Sequence, residues 1–137
     1  VLLAPVFGAD PVTVWLASLS HHLHNALLPD SGFTGEMLLG DQLQPVIAHA
    51  AEAALAELPA ELRLSVRQAR LVLADAETPE GRAFHAADTL DRVWQLAQHL
   101  RPGQVTMDMI LGDMALVHEG PTKSFQDEVL RAAGIAP

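Results

Sequence analysis

Thr78-Pro79-Glu80-Gly81-Arg82-Ala83-Phe84-His85-Ala86-Ala87-Asp88-Thr89-Leu90-Asp91-Arg92-Val93-Trp94-Gln95-Leu96-Ala97-Gln98-His99-Leu100 carries the longest helical pattern in the chain. Thr78-Pro79-Glu80 reads as a helix start, with proline at the first helical position. Phe84, Ala87, Leu90, Trp94 and Ala97 then recur at three- and four-residue spacing, which places them on one face. Pro102-Gly103 stops the run. With this as the longest element, and no stretch reading as a strand, the fold class is all-α.

The flanking segments repeat the pattern. Ala60 to Ala74 predicts a helix whose face holds Leu62, Val66, Ala69 or Arg70, and Leu73. Asp41 is placed as the cap of a helix running to about Leu58, with Pro45 tolerated in the first turn and a stripe of Leu43, Ile47, Ala50, Ala54 and Leu58. Asp10-Pro11 opens a helix expected to run to about Leu27, ended by Pro29. Thr34-Gly35-Glu36-Met37 suggests a short helical turn closed by Gly40. Downstream, Thr106 begins a Met-rich helical segment, with Met107, Met109 and Met114 filling gaps in the core. The last helix spans roughly Thr122 to Ala133, with Phe125, Val129 and Ala132 inward and Gly134 closing it. Trp15 and Trp94 are assigned to the core or its edge.

The 137 residues suffice for one domain, 1–137, with a core of its own. Half of them are apolar and 4% aromatic, a mixture that favours closely packed helices. The expected architecture is a single-domain orthogonal bundle of about six to seven helices with short, mostly antiparallel connections. Seventeen acidic residues against eight basic ones leave a formal charge of −9. Such a surface repels phosphate backbones, and with one lysine, Lys123, there is no basic patch, so nucleic acid is not an expected partner. No apolar run spans a bilayer, so no membrane association is expected either. There is no cysteine; a transition metal would need His and carboxylate ligands, and a cytoplasmic setting is the default.

The candidate chemistry lies in Ser20-His21-His22-Leu23-His24-Asn25-Ala26-Leu27-Leu28-Pro29-Asp30. Three of the seven histidines fall within four residues. On a continuous helix, His21 would share a face with His24 and Asn25. The partial negative charge of a helix C-terminus would favour a cation beside them. A second cluster, His85-Ala86-Ala87-Asp88-Thr89-Leu90-Asp91-Arg92, holds Asp88 beside a buried stripe, where an acid needs a partner. An ion pair of Asp88 with Arg92 is the local alternative. The two stretches are expected to meet on neighbouring helices. His49, His99 and His118 have no partner at ligand spacing and read as surface or satisfied residues.

These residues resemble the HD-domain superfamily of metal-dependent phosphohydrolases, in the branch containing 5′-deoxynucleotidases. The likeness covers roughly Val12 to Arg92. It matches His21 to the His of the family's His-Asp pair, His22 to its Asp, and Asp88 to its distant Asp. Asn25 falls where that branch has a glutamate, and Asp30 where it has a second acid. A register with His24-Asn25 as the degenerate pair is an alternative. The resemblance implies an HD-domain-like fold and one divalent metal ion held by His21, His22 and Asp88. Hydrolysis of a small phosphorylated metabolite or nucleotide would follow. Asp30 or Glu36 would orient water or protonate the leaving oxygen, and Arg92, with Asn25, would bind substrate. Two departures stand out. His22 replaces the carboxylate that bridges two metals, which argues for one metal or none. The family's first His belongs on a helix before Pro11, and no His precedes His21, so either that helix precedes Val1 or the site is incomplete. A degenerate HD-like helical binding module is therefore the alternative function, and an iron-dependent HD-type oxygenase the third. A homodimer is compatible with all of these.

Overall fold

Helix starts leave backbone N–H groups without partners, and short polar side chains fill the gap. In the computed structural model, which describes residues 1–29, 38–99 and 117–135, Asp10 does this for the helix Pro11–Ser20. One carboxylate oxygen accepts the Thr13 N–H at 2.9 Å and the Thr13 hydroxyl at 2.6 Å; the other accepts the Val12 N–H at 3.4 Å. Every regular element among the described residues is helical: α1 (Ala4–Phe7), α2 (Pro11–Ser20), α3 (Leu43–Ala56), α4 (Ala60–Arg70), α5 (Pro79–His99) and α6 (Lys123–Ala132), with short 3-10 turns between. The fold is all-α, as the sequence predicts. The expected turn at Thr34–Met37 and the Met-rich helix lie outside the described residues.

The Asp10 cap has a pH signature. Bonds from the Thr13 hydroxyl and N–H hold its carboxyl below the ordinary value of 3.8. A carboxyl depressed in the folded state contributes stability that is present above its unfolded pKa and lost as pH falls through the folded one. Melting temperature measured from about pH 5 down to about pH 2 should fall less steeply in Asp10→Asn than in the native protein. Parallel curves would show that the cap carries none of the acid sensitivity.

The chain divides into two compact units, one of Val1–Val14 with Val72–Pro137, the other Trp15–Leu71. In the first, α1 and α6 pack on α5. Ala4, Ala9, Val14 and Ala83 form one buried cluster; Leu90, Val93, Val117 and Leu130 form another. An edge-to-face contact of Phe7 and Phe125, centroids 5.1 Å apart, belongs to the same unit. Ala83 and Ala86 are fully buried, and such small side chains let a neighbouring backbone approach α5 closely. Thr78 caps α5: its hydroxyl oxygen accepts the Gly81 N–H at 3.1 Å while the hydroxyl donates to the Asp75 carbonyl at 3.3 Å. α6 ends as its sequence predicts. Gly134 takes φ +70°, its N–H bonds the Arg131 carbonyl, and the Ile135 N–H returns to Leu130.

In the second unit, the 3-10 turn Leu23–Ala26 and α4 pack on α3. Ala50, Ala51, Ala54 and Leu55 of α3 are buried, as are Val66 and Ala69 of α4. Burying a side chain such as Leu55 fully is worth roughly 1.5–3 kcal/mol.

Several expectations need correction. α2 stops at Ser20, not near Leu27. Side chains take over its last carbonyls: the Ser20 hydroxyl bonds Leu16 at 2.7 Å, His21 Nδ1 lies 2.6 Å from the Ser18 oxygen, and the Arg70 guanidinium donates to Ser20 itself. Carbonyls bonded to side chains are poor acceptors for the N–H groups that would continue the helix. Asp41 sits in the 3-10 turn Gly40–Gln42 and caps nothing, because the chain enters α3 already in helical geometry. Leu62 is exposed and Val72 is buried where Leu73 was expected, since a 3-10 turn at Leu71–Leu73 shifts the face after Arg70. On α5, Val93 rather than Trp94 centres the buried stripe. Trp15 and Trp94 are 50% and 39% exposed; Trp15 is not a core residue. On α6, Gln126 and Leu130 are the buried positions and Ala132 is exposed.

Candidate functional site

The histidines predicted to share a helical face lie on no helix. His21 and His22 occupy the turn after Ser20, and His24 and Asn25 follow in the 3-10 turn. The turn nevertheless gathers the imidazoles. The His21 and His22 rings are 3.9 Å apart between centroids, and His22 and His24 are 5.6 Å apart. His21 is half-buried with Nδ1 against the Ser18 carbonyl, so Nδ1 carries the proton and Nε2 the lone pair of the neutral ring. His22 and Asn25 are exposed.

Arg70 is the group the reading of the histidine stretch alone did not reach. It lies fifty residues beyond Ser20, at the end of α4, and donates to the Ser20 carbonyl. Burial lowers its pKa below the ordinary arginine value, against the opposing charge of Glu52. It remains a cation, since arginine is protonated at any physiological pH. A signal for it was present: Arg70 falls on the apolar stripe of its helix, and a charge there needs an acceptor.

The cation attracted by the carbonyl end of α2 is thus a guanidinium from the same chain. This bears on the implied metal. Each imidazole has at most one lone pair to offer, and a fixed positive charge is bonded to the residue just before them, which weakens the attraction for a divalent ion. Among the described residues, no three His, Asp or Glu side chains form a group that could hold a metal ion.

The other expected site residues are distributed as follows. Asp88 and Arg92 lie on α5, in the unit that does not contain His21, His22 and Asn25. Their side chains form an i,i+4 ion pair at 3.5 Å, the local alternative of the sequence reading. Both are partly solvated, so the pair adds little stability. Asp30 and Glu36 lie outside the described residues.

A second polar site was not anticipated. In the unit containing α5 and α6, a cavity of about 140 Å³ is lined by His85 and Thr89 of α5, by His118 and Glu119, and by Thr122 and Gln126. In the sequence His85 stands in the Asp88 stretch and His118 has no partner at ligand spacing. One turn of helix brings His85 and Thr89 to the cavity while Asp88 faces Arg92.

In comparisons with protein-family models, with curated proteins and with solved structures, nothing matches this chain. The class that the fold defines is a small all-α protein. No helix among the described residues is long and apolar enough to cross a membrane. The HD-domain resemblance rests on the residues quoted for it.

Proposed function

We propose that this chain is a helical binding module, in a cytoplasmic setting, that holds a small phosphorylated ligand at the turn after α2 without metal-dependent turnover. The observation that carries this reading is the Arg70 guanidinium bonded to the Ser20 carbonyl at the root of the histidine turn. A guanidinium is a fork of several donors matched to phosphate oxygens, and the bond to Ser20 leaves others for a ligand. His21 and His22 add two imidazoles, which become donors when protonated beside an anion. In a chain of net charge −9, a local cation on a polar turn is also where an anion meets least repulsion.

Calorimetric titration with inorganic phosphate and with a nucleoside monophosphate, in the presence of a chelator, tests this. Saturable binding without phosphate release, lost in Arg70→Met, is the expected result. Failure of both probes to bind, or binding that vanishes with the chelator, would overturn it.

One observation favours the metal-dependent phosphohydrolase instead. Metal-ligating histidines usually donate their other ring N–H to a carbonyl or carboxylate, and His21 is oriented in that manner by Ser18. Stoichiometric divalent metal bound by the native protein and absent from His21→Ala would decide for that enzyme.

A further inference from the structure

The second cavity holds a polar group with an unmet need. His85 Nε2 is buried and has no hydrogen-bond partner among the described residues. A buried ring nitrogen left alone costs the full desolvation of that group. The residue has two neighbours in contact, one at its ring and one at its backbone. Phe84 meets it edge-on at 5.2 Å, and Gln126, only 2% exposed, donates its amide to the His85 carbonyl at 3.3 Å. Such a nitrogen, fixed beside a cavity, is a ready partner for a ligand.

Size and charge narrow the ligand. At about 140 Å³ the space suits one molecule of roughly benzene size. Among the described residues that line it there is no lysine or arginine, and Glu119 is the one acidic side chain. The remaining lining side chains with polar atoms are imidazole, hydroxyl and amide, all able to accept a hydrogen bond. These groups can also donate, so the charge decides: the one acidic side chain among the described lining is negative, within a chain of net charge −9. That balance disfavours carboxylates and phosphates and favours a donor that is positively charged.

We infer that this cavity binds a small organic ammonium ion, a protonated amine with a short apolar body. One of its N–H groups bonds His85 Nε2, and Glu119 at the rim supplies the countercharge. His85 takes the Nδ1–H tautomer on binding, which leaves the Nε2 lone pair as acceptor. The inference is independent of the phosphate reading, since it concerns a different unit and the opposite ligand charge.

The test is a titration of the ¹⁵N-labelled protein followed on the ring nitrogens of His85, with three probes: n-butylammonium, n-butanol and butanoate. Saturable shifts with butylammonium, at concentrations up to about 10 mM, are expected, together with no response to butanoate. Glu119→Gln alters an exposed side chain and leaves the buried lining in place. It should weaken butylammonium binding by about threefold, the scale of a partly solvated charge contact. His85→Gln, which keeps a polar group at the position, should remove the remaining binding without unfolding the protein. Shifts equally large with butanoate would overturn the inference. So would His85 nitrogens unmoved by all three probes, which would mean that water alone fills the cavity. Undiminished binding in Glu119→Gln would overturn the charge assignment and with it the ammonium.

Discussion

Gly81→Ala is expected to lower stability by about 2–3 kcal/mol, although alanine is the better helix former by roughly 1 kcal/mol. A Cβ at this position would lie 1.7 Å from the Asp75 carbonyl oxygen and 2.8 Å from its carbon. Both are backbone atoms of a segment tied down on either side. The Glu77 N–H bonds the Asp75 carboxylate at 2.9 Å, and the Thr78 hydroxyl bonds the Asp75 carbonyl. The methyl would also come within 2.9 Å of Thr78 Oγ1, the atom that caps α5. Accommodation therefore means moving the loop and losing the cap together, at the start of the longest helix. Urea unfolding should show a lower midpoint with an unchanged slope, and the melting temperature should drop by about 10 °C. Thr78→Ser, which keeps the capping oxygen, should cost much less. An alanine variant as stable as the native chain would show that the Asp75 turn is not held where the structure has it.

Arg70→Met is expected to have the second large effect, and on two observables. Methionine keeps most of the volume of the side chain and removes the charge and every donor. The Ser20 carbonyl then loses a charge-assisted hydrogen bond in a residue that is 5% exposed, at a cost of about 2 kcal/mol. Phosphate binding should disappear with it. Arg70→Lys separates the two effects, since an ammonium can still bond the carbonyl but lacks the planar fork that meets two phosphate oxygens at once. It should recover part of the stability and little of the affinity. Stability unchanged to within about 0.5 kcal/mol in Arg70→Met would mean that the guanidinium does not hold the end of α2.

The candidate sites were legible in pieces. The His21-His22-Leu23-His24 cluster is visible to any reader of the chain, and the structure does gather those rings. It gathers them by a turn, not by a helical face, because Ser20, His21 and Arg70 take the carbonyls that helix continuation requires. His85 and His118 are thirty-three positions apart and share no periodicity. Only the packing of α6 and the residues before it against α5 lets both line one cavity. Asp88, by contrast, found its partner four residues along its own helix, which is a spacing sequence alone reveals.

The sequence by itself determined the fold class and the main punctuation. Asp10-Pro11, Thr78-Pro79 and Gly134 act where they stand because a cap, a proline at the first helical position and a left-handed glycine depend on a few neighbouring residues. Tertiary structure decided which distant polar groups come together. Arg70 reaches Ser20, and His85 shares a cavity with Glu119, through contacts between segments far apart in the chain. Local patterning holds no record of such contacts, because they are set by how helices pack and not by how each one forms.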